Sequence, residues 1–183
     1  TVSRAAGSVT FPSEFMLVAA MNPCPCGYFG DLKRECRCGP VHVQRYRQRI
    51  SGPLLDRIDL HIEVPAVEYR DVASERAEEP SAAIRERILR ARERQQERFR
   101  NEAKVNCNAR MATRQLKQHC KLSQDSQELI RVAMSELNLS ARAYDRILKV
   151  SRTIADLDGK VEIAPEHVSE AIQYRTFDRT LWV

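Results

Sequence analysis

An unbroken apolar run, residues 15–21, ends at the dipeptide Asn22-Pro23. The run is too short to span a membrane, and a short apolar run bounded by a turn signal is typical of a parallel β-strand that is covered on both faces. Ligands of open parallel sheets bind beyond the carboxyl ends of the strands, so Asn22 would lie where chemistry is done. The alternative is that Asn22 only caps a loop. The run predicts an α/β domain, with Asn22 as a candidate site residue.

Four cysteines follow this run in two close pairs, Cys24 with Cys26 and Cys36 with Cys38. Zinc takes four thiolate ligands in a tetrahedron, and two pairs joined by a short loop can supply them. A glycine follows the second cysteine of each pair, where the backbone must turn sharply. The alternative is four reduced thiols in a loop. Because this polar loop has no apolar core of its own, we predict that Cys24, Cys26, Cys36 and Cys38 bind zinc.

The net charge of +5 is unevenly distributed along the chain. Residues 33–57 carry +5 and residues 85–100 carry +4, so the rest of the chain is acidic. Clustered basic residues indicate a polyanionic partner, either nucleic acid or nucleotide phosphate. Arg45 and Arg49 stand four residues apart in the helix-like run 41–50 and would share a face. We predict that they contact DNA; the alternative is a solvated helix face.

A second candidate site residue, Arg57, follows Leu54-Leu55-Asp56 and precedes another strand-like run, residues 59–64. The two leucines would anchor a short helical turn in a core. A guanidinium cannot lose its proton and can stabilise the charge that spreads over a phosphoryl group in its transition state. The alternative is a surface pair between Asp56 and Arg57.

The second half of the chain has the apolar period of helices. Residues 68–80 are acidic and rich in alanine, which predicts a linker. The predicted helices cover residues 81–100, 113–120, 124–137, 141–157 and 165–174. Ser81 is expected to cap the first of them, with a buried side formed by Ile84, Ile88, Leu89 and Phe99. Together these helices predict a small all-α bundle.

Arg142 lies two residues after Ser140, the expected N-cap of the fourth helix. A cation in the first turn opposes the helix dipole by about 0.3–1 kcal/mol, so helix stability gives no reason for it. An anion bound at the same terminus would reverse this effect, since helix N-termini and arginine both attract phosphate. Arg142 is therefore a candidate phosphate ligand, and Arg146, one turn further on, is the alternative.

The strings NPCPCG and SGPLLDRIDLH, followed by SARAYDRILKVSRTIADL, resemble sequences of AAA+ ATPases of the magnesium-chelatase-like branch, within it the competence-linked ComM/YifB type. The resemblance covers essentially the whole chain. It implies that Asn22 is sensor 1, Arg57 an arginine finger and Arg142 the sensor 2 arginine. It also implies ATP and Mg²⁺ as cofactors, a hexameric ring as the assembly, and DNA as the substrate of a motor of the branch-migration helicase type.

The resemblance also implies an architecture. Residues 1–67 would be the second half of the α/β AAA+ core with the zinc-type loop 24–38, and residues 81–183 would be an all-α lid joined to it by the linker 68–80. No apolar run approaches membrane length, so we expect no membrane association and a cytoplasmic protein.

The sequence contains neither a GxxxxGK[ST] loop nor an apolar run that ends in paired acids. The phosphate cradle and the magnesium-binding acid are therefore missing from it. We predict that the chain is a C-terminal fragment of a longer ATPase, inactive alone, to which ATP and Mg²⁺ bind through the missing half. The alternative is a stand-alone zinc-dependent nucleic-acid-binding module, with the basic helix beside the cysteine loop as its contact surface.

Overall fold

The computed structural model describes residues 1–13, 15–31, 33–65, 67, 73 and 78–175. The chain divides into two compact units, Thr1–Tyr46 and Arg47–Val183, which are described separately. The predicted boundaries of core, linker and lid stay a prediction. Much of the predicted linker, and residues 176–183 of the predicted lid, lie outside the described residues.

The first unit begins with a small antiparallel hairpin. Strand β1, Val2–Arg4, pairs with β2, Gly7–Val9, and Val2 lies opposite Val9. Helix α1, Pro40–Arg47, follows the cysteine loop and extends one residue past Tyr46, with Val43 as its buried residue. The hairpin lies at the start of this segment and the helix at its end, and the apolar run 15–21 and the cysteine loop 24–38 lie between them in the sequence.

The strand predicted over residues 15–21 is not formed, and this prediction was wrong for the chain as it stands. Phe15, Met16 and Val18 are 76%, 88% and 83% exposed. A parallel strand needs hydrogen-bonded neighbours, and in the described part of the chain the only sheet is the two-stranded hairpin. Residues 59–64 form no strand for the same reason, and Ile62 and Val64 are exposed.

The second unit is a helical bundle preceded by a short helix. Helix α2, Gly52–Leu55, forms the short helical turn predicted there, with Ser51 at its N-cap position and a proline in its first turn. The bundle helices are α3 Ser81–Phe99, α4 Thr113–His119, α5 Gln124–Glu136, α6 Ala141–Leu157 and α7 Pro165–Gln173, with a 3₁₀ turn at Asn108–Arg110. Each of the five predicted helices is present, with ends that differ by at most one residue. None of the helices in the described ranges is long and apolar enough to cross a membrane.

Helix α6 lies at the centre of the bundle and packs against α3, α4 and α7. Its inward residues are fully or almost fully buried, because the apolar positions repeat with the helical period. The buried apolar cluster comprises Phe99, Val105, Met111, Leu116, Cys120, Ile130, Ile147, Leu148, Ala155, Ile163, Val168 and Ala171.

Helix α3 is buried over only part of its length, and most of the residues predicted to form its buried side are not covered. Ile84, Ile88 and Leu89 are between 37% and 50% exposed, whereas Ala91 and Gln95 are buried together with Phe99. Only the C-terminal half of α3 is covered by other helices, so its apolar residues near the start lie on an open surface. Ser81 is the first helical residue, and Pro80 takes the cap position predicted for Ser81.

A buried polar cluster joins α3, the 3₁₀ turn and α6. Asp156 is fully buried, and its Oδ2 accepts hydrogen bonds from Arg98 Nη1 at 2.7 Å and from Asn108 Nδ2 at 2.8 Å. Arg152 Nη2 lies 3.2 Å from the other carboxylate oxygen. A buried carboxylate is tolerated only when it is paired and hydrogen-bonded, so these partners fix how the three elements meet.

Candidate functional site

The four cysteines of the first unit form one cluster. Their Sγ atoms all lie within 4.8 Å of one another, and Cys24 is fully buried. Cys24 Sγ lies 3.3 Å from Cys26 Sγ and 3.7 Å from Cys36 Sγ, and Cys26 and Cys36 are 3.6 Å apart. Zn–S bonds of about 2.3 Å place tetrahedral sulfurs roughly 3.8 Å apart, so the four thiols fit a zinc ion. The cluster predicted from the spacing is thus assembled and could bind a metal.

Local hydrogen bonds stabilise the turns in the loop that joins the two cysteine pairs. Gly27 has a φ of +84°, a conformation that glycine adopts without strain, and its N–H donates to the Cys24 carbonyl. The Asp31 carboxylate accepts from the N–H groups of Lys33 and Arg34 at 2.7 and 3.0 Å. These two backbone donors hold the pKa of Asp31 below its usual range. The loop is therefore folded back so that the second pair of cysteines meets the first.

The thiols of this cluster differ in acidity. A hydrogen bond from the Tyr28 backbone, helped by the Cys24 thiol, lowers the pKa of Cys26 to about 6. For Cys36, the backbone N–H of Cys38 lowers the pKa, but desolvation and the thiols of Cys26 and Cys24 outweigh it and raise the pKa to about 12. Close thiolates repel one another, and a bound cation would remove that repulsion.

Asn22 is exposed and lies two residues before the first cysteine. Arg45 is exposed on α1. Arg49, the other residue predicted to contact nucleic acid, lies beyond the end of that helix, in a turn where the Ile50 N–H donates to the Arg47 carbonyl. The predicted shared helical face of Arg45 and Arg49 is therefore not formed. The helix ends early because the chain turns there toward Ser51-Gly52-Pro53.

Three predicted arginines belong to the second unit. Arg57 is exposed just after α2, and its Nη1 donates to the Pro53 carbonyl at 2.5 Å. Arg142 is exposed in the first turn of α6, whose N-cap is Ser140 as predicted, with Ser140 Oγ accepting from the Ala143 N–H at 3.1 Å. Arg146 is half-buried and pairs with Asp59.

The segment that carries Arg57, residues 51–61, lies against the bundle. Ser140 Oγ donates to Asp56 Oδ1 at 2.9 Å, so the N-cap of α6 contacts the residue before Arg57. Arg175 Nη1 donates to the Ile58 carbonyl, and Arg175 Nη2 lies 3.6 Å from Asp56 Oδ1. Farther along, the His61 N–H donates to the Tyr174 carbonyl at 3.0 Å. Arg175 was not among the predicted site residues, because nothing in its local sequence pattern distinguishes it from a surface arginine.

Two family models match the chain in consecutive segments. "Magnesium chelatase, subunit ChlI" matches residues 1–72, and "Magnesium chelatase, subunit ChlI C-terminal" matches residues 78–175. The chain belongs to the magnesium chelatase ChlI family. This is a family of AAA+ ATPases, and the resemblance drawn from the sequence motifs is confirmed.

The chain is also similar to named bacterial proteins of this type. It is 43% identical over 182 residues to "Competence protein ComM" of Haemophilus influenzae, an alignment that covers 98% of this chain and 34% of that protein. It is 39% identical to "Uncharacterized protein YifB" of Salmonella typhimurium and of Escherichia coli, with the same coverage. The chain therefore spans about a third of the length of the curated relatives it matches, and it corresponds to a fragment of a ComM/YifB-like member of the family.

Proposed function

We propose that this chain supplies part of the ATP-hydrolysis site of a ring-forming AAA+ motor that acts on DNA. The observation that carries the proposal is the match to magnesium chelatase models in both halves of the chain. It is supported by the exposure of Arg57 and Arg142, the two arginines that the motifs single out. Residues that act on a bound nucleotide must be reachable by it, and both guanidinium groups meet this condition.

Each predicted residue has a separate role in this proposal. Asn22 orients the attacking water, and Arg142 contacts the phosphates from the lid of the same subunit. Arg57 reaches the nucleotide of the neighbouring subunit, where it stabilises charge that develops in the transition state. Arg142 is preferred to Arg146 as the phosphate ligand because the Arg146 guanidinium is already paired with Asp59. Upstream residues of the complete protein would bind ATP and Mg²⁺.

An arginine that serves a neighbour's site requires an oligomer. AAA+ proteins of the chelatase family typically assemble into oligomers, and we propose a hexameric ring for the complete protein. The two basic segments support DNA as the partner, with Arg45 and Arg49 among its contacts. The motor would then be of the branch-migration helicase type.

The four-cysteine cluster has the donor set of a structural zinc site. Four thiols leave no open position for substrate, so zinc bound by Cys24, Cys26, Cys36 and Cys38 would shape the loop and perform no catalysis. This cluster also supports the alternative function, a stand-alone zinc-dependent nucleic-acid-binding module. Binding assays on the complete protein and on this chain alone distinguish the two functions. If the chain is part of a motor, ATP affinity appears only when the upstream half is present. If the chain is a stand-alone module, it binds DNA equally well without the upstream half.

The roles of the arginines are tested in the complete protein. Arg57→Ala is expected to lower ATP hydrolysis by roughly 10³–10⁵-fold and to spare ATP binding, because a finger acts mainly in the transition state. Arg57→Ala subunits mixed with subunits that lack the phosphate-loop lysine should recover activity, since some interfaces then contain both intact parts. Arg142→Ala subunits mixed with the same partner should not recover, because no nucleotide-holding subunit is intact. Identical behaviour of the two mixtures would show that the assignment of Arg57 to the neighbouring site is wrong.

A further inference from the structure

Arg175 is a buried arginine that contacts the chain on both sides of Arg57. Its side chain is 1% exposed. One nitrogen of the guanidinium donates to the carbonyl of Ile58, and the other lies 3.6 Å from Asp56 Oδ1. The residue before Arg57 and the residue after it are therefore held by the same side chain, from a position more than a hundred residues further along the chain.

The same segment has further contacts with the bundle. Asp56 Oδ1 also accepts from Ser140 Oγ at 2.9 Å, and the Tyr174 carbonyl accepts from the His61 N–H at 3.0 Å. Asp59 pairs with Arg146 on α6. Residues 56, 58, 59 and 61 are thus all tied to α6 or to the chain just after α7, while the Arg57 side chain stays exposed.

A buried guanidinium is suited to hold a backbone in place. It keeps its charge and presents donors in a fixed planar fork, so it can bond a carbonyl and face a carboxylate at the same time. A buried guanidinium is tolerated only when its acceptors are in position. Any conformation that moves Ile58 or Asp56 away from Arg175 is therefore higher in free energy.

We propose that Arg175 is a positioning residue for Arg57. It holds the Ile58 carbonyl and faces the Asp56 carboxylate, one on each side of Arg57, so that the arginine finger and the bundle move as one body. The inference rests on the proposed function of Arg57, and it adds a residue that lies just after α7 and does not contact the nucleotide. Loss of Arg175 would displace Arg57 without removing it.

The first test uses Arg175→Met and Arg175→Lys in the complete protein. A small displacement of a catalytic group costs about 10- to 10²-fold in rate, so Arg175→Met should lower kcat by that factor. The KM for ATP should change by less than about twofold, because Arg175 does not bind the nucleotide. Lysine keeps the charge but not the fork, so Arg175→Lys should restore part of kcat.

Arg152→Met is the matched control. Arg152 is also buried, at 3% exposure, and donates to the carbonyls of Val161 and Lys160, but it lies against a different part of the bundle. Its loss should lower Tm and leave kcat per folded protein unchanged. If Arg175→Met lowers Tm and also leaves kcat per folded protein unchanged, Arg175 is only structural and the inference is overturned.

The subunit-mixing experiment separates this inference from the proposed function. Arg175→Met subunits mixed with subunits lacking the phosphate-loop lysine should recover activity as Arg57→Ala subunits do, because both defects fall on the neighbour's site. If Arg57→Ala recovers and Arg175→Met does not, the positioning role is overturned and the finger assignment stands. If Arg57→Ala itself fails to recover, the proposed function is overturned together with the inference.

Asp56→Asn keeps the proposal testable if Arg175→Met does not fold. Asparagine retains an oxygen that can accept from Ser140 Oγ but loses the charge that faces Arg175. This variant should lower kcat with little change in KM. Its effect should be smaller when Arg175 is already lysine, because the two groups act through one contact. An unchanged kcat for Asp56→Asn would overturn the proposed arrangement.

Discussion

The two units of this chain are stabilised in different ways. Among the described residues of Thr1–Tyr46, the buried hydrophobic side chains are Cys24 and Val43, and the apolar run 15–21 lies open. The second unit encloses a continuous apolar cluster around α6. A helix bonds its backbone within itself and needs neighbours only for one face, whereas a strand needs at least one neighbouring strand for its backbone hydrogen bonds. The helices therefore form within this chain, whereas the apolar run 15–21 has no strand to pair with among the described residues.

The largest effect that this comparison predicts is on the cysteine loop. Structural zinc sites contribute apparent free energies of about 10–16 kcal/mol, so zinc removal by a chelator should unfold the loop. The bundle should keep its helical circular dichroism and its Tm, because its core is apolar. Elemental analysis should find about one zinc per chain. Cys36→Ser should abolish binding, and Cys107→Ser, a thiol outside the cluster, should leave it unchanged. Loss of helical signal together with zinc would show that the bundle depends on the metal-bound loop.

The second effect concerns residues 15–21. When the upstream half of the protein is restored, we expect this run to pair as a strand and its amides to exchange at least about 10³-fold more slowly. Hydrogen exchange followed by mass spectrometry would measure this difference. The amides of α6 serve as the internal control, since their protection should be similar in both forms. Fast exchange of 15–21 in the complete protein would show that the predicted strand is wrong in general.

A third prediction tests what holds the second unit together. Asp156→Ala leaves Arg98 and Arg152 without their buried carboxylate, which should cost about 3–5 kcal/mol of unfolding free energy. Urea denaturation would measure the loss. Glu128→Ala removes the exposed partner of Arg131 on α5 and should barely change the midpoint. Similar midpoints for the two variants would mean that the buried polar cluster is not a main source of stability.

The smallest effect is local to α5. Ser123 Oγ accepts from the Ser126 N–H at 3.2 Å, so Ser123→Ala removes a helix cap and should cost about 1 kcal/mol. Ser135→Ala, an exposed position within the same helix, should be neutral or slightly stabilising, because alanine is the better helix former. Thermal unfolding followed at 222 nm compares the two. A larger loss for Ser135→Ala would contradict the role of Ser123 as a cap.

The sequence by itself determined the helices of the bundle and the membership of the cysteine cluster. The ends of α6 and its N-cap at Ser140 are determined by residues that are close together in the sequence. The four cysteines are also close together in the sequence. Helix signals of this kind are local, since each depends on hydrogen bonds or side-chain contacts within a few residues. The motif strings likewise sufficed to predict the family.

Only the tertiary structure decided the rest. Which half of α3 is covered, which partners surround Asp156, and how Arg175 holds the residues beside Arg57 all depend on contacts between distant parts of the chain. The apolar run 15–21 has the composition of a strand, but composition supplies no neighbouring strand to pair with. The residue pattern of a segment limits which secondary structure it can form. Whether a strand actually forms depends on a neighbouring strand, and no local pattern encodes that neighbour.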